Sequence, residues 1–157
     1  MRRTISRILS PIDRLIASIP DFFVNIAMRL VIFKVFWTSV QTKITGASFA
    51  EQHFAFWNIT ENTFLKFYFD YSIPFLPTTL AAYMVTFGEF FFALMILFGL
   101  FTRLAALGLF VITMVIQFYI YPDAWWTTHA FWAVILLYLM RFGGGIISLD
   151  RILFNKR

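Results

Sequence analysis

Four ionisable residues interrupt runs that are otherwise apolar. Arg29 and Lys34 stand in "FFVNIAMRLVIFKVFWTSVQ", Glu89 in "FGEFFFALMILFGLFTR" and Arg141 in "THAFWAVILLYLMRFGGGII". Charges in hydrocarbon are costly; where they occur they face a protein interior, pair with one another and mark functional sites. Guanidinium groups beside a carboxylate can polarise the oxygens of a quinone-like ligand or hold a small anion, while the carboxylate orients the ligand or relays a proton. Gln117 would add a neutral donor and acceptor to such a cavity. The expected ligand set is therefore Arg29, Glu89 and Arg141, with Lys34 and Gln117 beside them and no catalytic residue assigned. Three cations against one anion leave a positive excess, which invites an electron-rich partner: a quinone carbonyl, an oxyanion or a lipid phosphate.

These residues have to be positioned by helices. Four stretches, about 22–41, 80–100, 104–121 and 128–147, are each near the roughly 20 residues needed to cross a bilayer. Three residues, "FTR", separate the second from the third, so that pair forms a hairpin. From the helical rise, Arg29 and Arg141 lie about 10 Å from the hairpin side, Glu89 about 15 Å and Gln117 about 20 Å. Similar depths allow Arg29, Glu89 and Arg141 to meet. Lys34, five residues after Arg29, points about 140° away around the same helix. Each central Arg or Lys costs about 2.5–3.5 kcal/mol on insertion and each strong apolar residue returns about 0.3–0.6 kcal/mol, so the first span is near break-even without a partner.

Composition agrees with a membrane protein. Of 157 residues, 61% are hydrophobic and 13% charged, against about a quarter charged in soluble domains. The net charge of +5 is carried by residues flanking the spans, which points to membrane topology rather than to nucleic acid. Arg2, Arg3, Arg7 and Arg14, then Arg103, then Arg151, Lys156 and Arg157 fall on one side; Lys43 and Lys66 are outweighed on the other by Glu51, Glu61, Asp70 and Asp123. Both termini are expected to be cytoplasmic. The absence of cysteine removes disulfides and thiol chemistry. His53 and His129, with Glu51 or Asp123, make a weak metal candidate, and no metal or covalent cofactor is expected. No nucleotide loop, nucleophile elbow or zinc-protease spacing occurs.

Residues 1–21 place Ile5, Ile8, Leu9, Ile12, Leu15, Ile16 and Ile19 at helical spacing between arginines, the pattern of an amphipathic interfacial segment. Residues 42–79 form an aromatic outer loop, in which Thr60 caps a short helix through "ENTFLKFYFDY" before Pro74. This loop serves either as an interfacial anchor or as a lid over an opening in the bundle. Trp125, Trp126 and Trp132 read as an aromatic belt. The predicted fold is all-α: an antiparallel bundle of four transmembrane helices in one domain, 22–157.

Several strings together resemble the DoxX family of small four-helix membrane proteins. They are Arg29 and, fourteen residues on, the lysine of "KITG" (Lys43); "GE" (Gly88, Glu89); "LFGLFTRLAALGL" (97–109); "YPDAWWTTHAFW" (121–132); and "GGGIISLDRIL" (143–153). Lys34 departs from the pattern, and the outer loop is longer and more aromatic than in compact members. The resemblance implies a bacterial or archaeal cytoplasmic membrane. The family takes its name from the membrane subunit of a thiosulfate:quinone oxidoreductase, and other members are associated with redox or detoxification complexes. The expected function is thus a membrane subunit that binds a quinone-like or small anionic ligand beside a redox partner protein. A non-catalytic anchor recruiting a partner, and a small-solute transporter acting as a homo-oligomer, are the competing readings.

Overall fold

The computed structural model describes residue 14 and residues 16–71, 73–74 and 76–154. Most of the segment expected to be amphipathic, 1–21, lies outside the described residues. The chain is helical throughout its long elements. Helix α1 (Asp21–Gln41) begins after Pro20 and runs 21 residues. Two short helices follow, α2 (Phe49–Phe54) and α3 (Glu61–Phe69). Helix α4 (Thr78–Phe98) begins after Pro77, and α5 (Thr102–Tyr119) returns antiparallel to it. A 3₁₀ turn (Pro122–Ala124) and a π turn (Trp125–His129) lead into α6 (Ala130–Phe142), and α7 (Leu149–Phe154) ends the described chain.

Helices α1, α4 and α5 are long and apolar enough to cross a membrane. The fourth stretch is shorter than expected. Its α-helical part has 13 residues, lengthened by the π turn of five, and it stops at Gly143 rather than near 147. Gly143 and Gly145 both adopt positive φ, a conformation that ends a right-handed helix and that glycine reaches without a Cβ penalty.

The long helices close a ring: α1 packs on α4 and α6, α4 on α5, and α5 on α6. Its core consists of Ile32, Phe36, Ala93, Ile96, Ala105, Ala106, Leu109, Leu136 and Leu139. The alanines let backbones approach, and Gly108 leaves the space that the Phe92 ring occupies. Outside, large apolar side chains such as Leu30, Val31, Leu104, Val111, Phe131 and Val134 are exposed, while Asn25, Arg29, Thr86, Glu89, Thr113, Gln117 and His129 are buried. That distribution is the reverse of a water-soluble domain and suits a lipid surround.

The bundle has two ends, a hairpin end at Gly99–Phe101 and a loop end at residues 42–77. At the loop end, α3 is capped by Thr60, whose side chain accepts from the Thr63 N–H, as the sequence predicts. Phe67 of α3 packs with Ile73, Ala81 and Ala82, burying a full aromatic side chain and holding α3 against α4. At the hairpin end, α4 closes on Gly99 in the left-handed region at φ 66°. A Cβ there would lie 2.6 Å from Ser148 Cβ and 2.9 Å from Arg29 Nη2. Replacing Gly99 with Ala is expected to cost about 1–2 kcal/mol for the backbone conformation alone, before the clash. Thermal unfolding in detergent measures this; an unchanged midpoint would mean that the turn does not constrain the fold.

Candidate functional site

Side chains on a helix lean toward its N-terminus. Helix α1 starts at the hairpin end, so Arg29 reaches that way. Helix α4 starts at the loop end, so Glu89 reaches the opposite way. The antiparallel arrangement therefore separates two groups whose Cα depths look compatible.

Arg29, 6% exposed, spends its guanidinium on carbonyls at the hairpin end. Its Nε donates to Ile96 O (2.8 Å), Nη2 to Leu97 O (2.5 Å), and Nη1 to Gly144 O (3.1 Å) and Ile147 O (2.6 Å). Ile96 and Leu97 belong to the last turn of α4, where Ile96 O also accepts from the Gly99 N–H (3.1 Å) and the carbonyls carry the negative end of the helix dipole. Asn25 donates to Gly143 O at 2.9 Å in the same region. The Asp150 carboxylate accepts from the N–H groups of Phe101 (2.6 Å) and Thr102 (3.0 Å) and from Thr102 Oγ1 (2.9 Å). These bonds tie the 143–150 segment to the α4–α5 turn and leave Arg29 neutralised by backbone rather than by Glu89.

Glu89, 1% exposed, meets Lys43 instead. Lys43 Nζ lies 2.7 Å from Glu89 Oε2 and also donates to Ser39 Oγ (2.6 Å) and Ser39 O (3.2 Å). Ser39 Oγ in turn donates to Glu89 Oε1 at 3.2 Å. Lys43 stands just past the end of α1, and its backbone is fixed by the loop: Thr60 N and Thr63 Oγ1 both donate to Lys43 O. An antiparallel bridge between Ile44 and Ile59 extends this pairing. The folded outer loop thus holds the cation over the buried carboxylate.

Two cavities flank this pair. One, of about 230 Å³, lies under α3; Ser39, Lys43, Lys66, Tyr71 and Glu89 give it polar groups, and Phe67, Ile73, Val85, Ile112 and Val115 wall it. The other, of about 290 Å³, extends toward α6 and is lined by Phe36, Ser39, Glu89, Tyr121, His129 and Trp132 among others. Glu89, Ser39, Ile116 and Tyr121 border both. Gln117 donates through Nε2 to Pro122 O (2.6 Å), which turns its Oε1 toward His129 Nδ1 at 2.7 Å. His129 Nδ1 must then be the donor, leaving Nε2 of the neutral ring as an acceptor. Tyr71 and Tyr121 join hydroxyls across the loop end at 2.9 Å. Burial, reinforced by that bond, pushes the Tyr71 phenol up to about 12.

The DoxX family model matches residues 24–122, well over half of the chain. The chain belongs to the DoxX family. Neither a curated protein nor a solved structure matches it. With its long apolar helices, family membership makes it a multi-pass membrane protein.

Read along this DoxX chain, the expected cluster of Arg29, Glu89 and Arg141 does not assemble. Arg29 serves the hairpin end, and Arg141 and Lys34 are exposed on the outside of the bundle. Glu89 is buried and partnered, and Gln117 lines up with His129 beside the second cavity, as an inward-facing polar residue should. The expectation failed because equal depth was reckoned from Cα positions, whereas side-chain direction opposes in antiparallel helices. Sequence reasoning passed over Lys43, Ser39, Tyr71 and Tyr121 as site residues. One signal for Lys43 was available: Ser39 and Lys43 are four apart, a spacing that puts two side chains on one helical face.

Two measurements follow from this geometry. In a double-mutant cycle, Lys43→Met and Glu89→Gln should each destabilise, with the double variant losing less than the sum and a coupling of about 1–3 kcal/mol; additive losses would deny the pair. Tyr71 holds its proton more tightly folded than unfolded, so its contribution is complete below about pH 10 and is lost as pH rises toward 12. Alkaline unfolding of Tyr71→Phe should lack that dependence.

Proposed function

We propose that this DoxX protein is a membrane subunit of a redox or detoxification complex, and that the cavity at Lys43 and Glu89 binds a quinone-like or small anionic ligand. The chain crosses a bacterial or archaeal cytoplasmic membrane four times, the fourth pass being the π turn with α6. Both termini are cytoplasmic. Arg103 and Arg151 at the hairpin end, set against Glu51, Glu61, Asp70 and Asp123 around the loop end, support that direction.

One observation carries the ligand reading. A buried carboxylate and a 14% exposed ammonium, 2.7 Å apart, border a void instead of packed side chains. An apolar cavity of about 150 Å³ already accepts benzene, so about 230 Å³ suits a substituted ring or a compact anion. Lys43 would donate to a carbonyl oxygen or anion, Ser39 and Glu89 would orient it, and the walls of Ile112, Val115 and Phe67 would take an apolar ring. Helix α3 acts as the lid, and Lys66 stands at the mouth. The second reading, an anchor for a partner protein, is favoured by exposed Phe49, Trp57, Tyr68 and Phe69 on the loop end.

Titration of purified protein with a short-chain quinone, and separately with a small oxyanion, tests the site by quenching of intrinsic aromatic fluorescence. Lys43→Gln should weaken binding about tenfold, the worth of one charge-assisted hydrogen bond, while Arg141→Gln should leave it unchanged. Equal binding by wild type and Lys43→Gln would remove the site. Co-purification of a partner that survives Lys43→Gln but not substitution of Trp57 and Phe69 would favour the anchor.

A further inference from the structure

The hairpin end carries a separate polar groove. It lies between the start of α5, the glycine segment after α6, and α7, and encloses about 680 Å³. Arg103 and Arg151 both line it. Among the described residues neither guanidinium has a hydrogen-bond or ion-pair partner. Arg103 lies along the backbone of Gly143, whose missing Cβ would sit 3.4 Å from Arg103 Nε. The carboxylate in the groove, Asp150, is already engaged by Phe101 and Thr102. Two cations against one occupied anion leave the groove positive.

The rim is apolar. Leu104 is 58% exposed, Phe142 62% and Phe154 62%, while the Phe101 and Phe154 rings meet at a tilt with centroids 5.3 Å apart. These side chains sit at the hairpin ends of α4 and α5, which in a bilayer would lie beside the headgroup layer. A charged slot continuous with exposed hydrocarbon matches a molecule with a phosphate at one end and acyl chains at the other. A soluble anion would leave the rim uncovered, and a zwitterionic lipid, whose phosphate comes with its own cation, would leave the groove's excess positive charge unbalanced.

We infer that this groove binds the headgroup of an anionic phospholipid, with Arg103 and Arg151 on the phosphate and the acyl chains lying along Leu104, Phe142 and Phe154. The site is independent of the Lys43–Glu89 cavity. Basic pockets at the ends of membrane helices bind anionic headgroups by this combination. The bound lipid would stiffen the segment from Gly143 to Asp150, which also supplies the carbonyls that hold Arg29.

The test uses the full chain in nanodiscs of phosphatidylcholine alone or with phosphatidylglycerol or cardiolipin, and native mass spectrometry of the released protein. Wild type should keep an anionic lipid and unfold at higher temperature in the anionic discs. Arg103→Gln with Arg151→Gln should bind that lipid about tenfold or more weakly, with unfolding in pure phosphatidylcholine unchanged. Should the double variant not fold, each single variant is compared in the same way, and loss of retention in either one supports the site. Inorganic phosphate in phosphatidylcholine discs should give no stabilisation. Equal lipid retention by wild type and variants, or full stabilisation by phosphate alone, would overturn the inference.

Discussion

A charge inside a membrane protein must find a counter-charge or a set of carbonyls within the reach of one side chain. In an antiparallel bundle that reach has a direction, because every helical side chain tilts toward the start of its own helix. The two buried charges here, Arg29 and Glu89, obey this rule. Arg29 goes down to the ends of α4 and α6, and Glu89 goes up to Lys43 and Ser39. Between them lies an apolar layer of Ile32, Phe36, Ala93 and Leu136. The bundle has two polar ends and a dry middle, not one central polar site.

The two ends have different tasks. At the hairpin end the interior polar groups are engaged with backbone, Arg29, Asn25 and Asp150 bonding carbonyls and amides at helix termini and glycine turns, while Arg103 and Arg151 stay at the surface groove. That end is a structural knot. At the loop end the polar groups satisfy one another around open space. The short pairing of Lys43–Thr45 with Asn58–Thr60 fixes the cation in place, which would spare a ligand at the proposed site the entropy of ordering it.

Much of the fold was legible in the chain. Apolar runs near membrane length, the three-residue "FTR" turn and the Thr60 cap each have a direct local cause, and each element forms close to its expected place. The early end of α6 was harder to see, because "GGGII" is apolar enough to extend a hydropathy run while its glycines break the helix. The site was only half legible. Glu89 and Gln117 were visible as polar residues in oil. Lys43 was hidden because it falls outside the apolar run and reads as a flank, although the folded loop swings it back over α4. Arg29 misled for the reverse reason: inside the run, it serves the turn below. Lys34 and Arg141 are polar by sequence yet face outward, and helical phase alone distinguishes such positions from interior ones.

The hydroxyl pair of Tyr71 and Tyr121 joins two elements that border the loop-end cavity. It is a neutral bond between two phenols, the kind worth about 0.5–1.5 kcal/mol net, and the Tyr71 ring also packs edge-on against buried Phe67, with centroids 5.4 Å apart. Separating the two phenols by moving Tyr71 therefore also breaks a contact with the core of the loop end. For the proposed ligand site, this ties any opening of the cavity to the packing of α3, so exchange would be slowed by more than the hydroxyl bond alone.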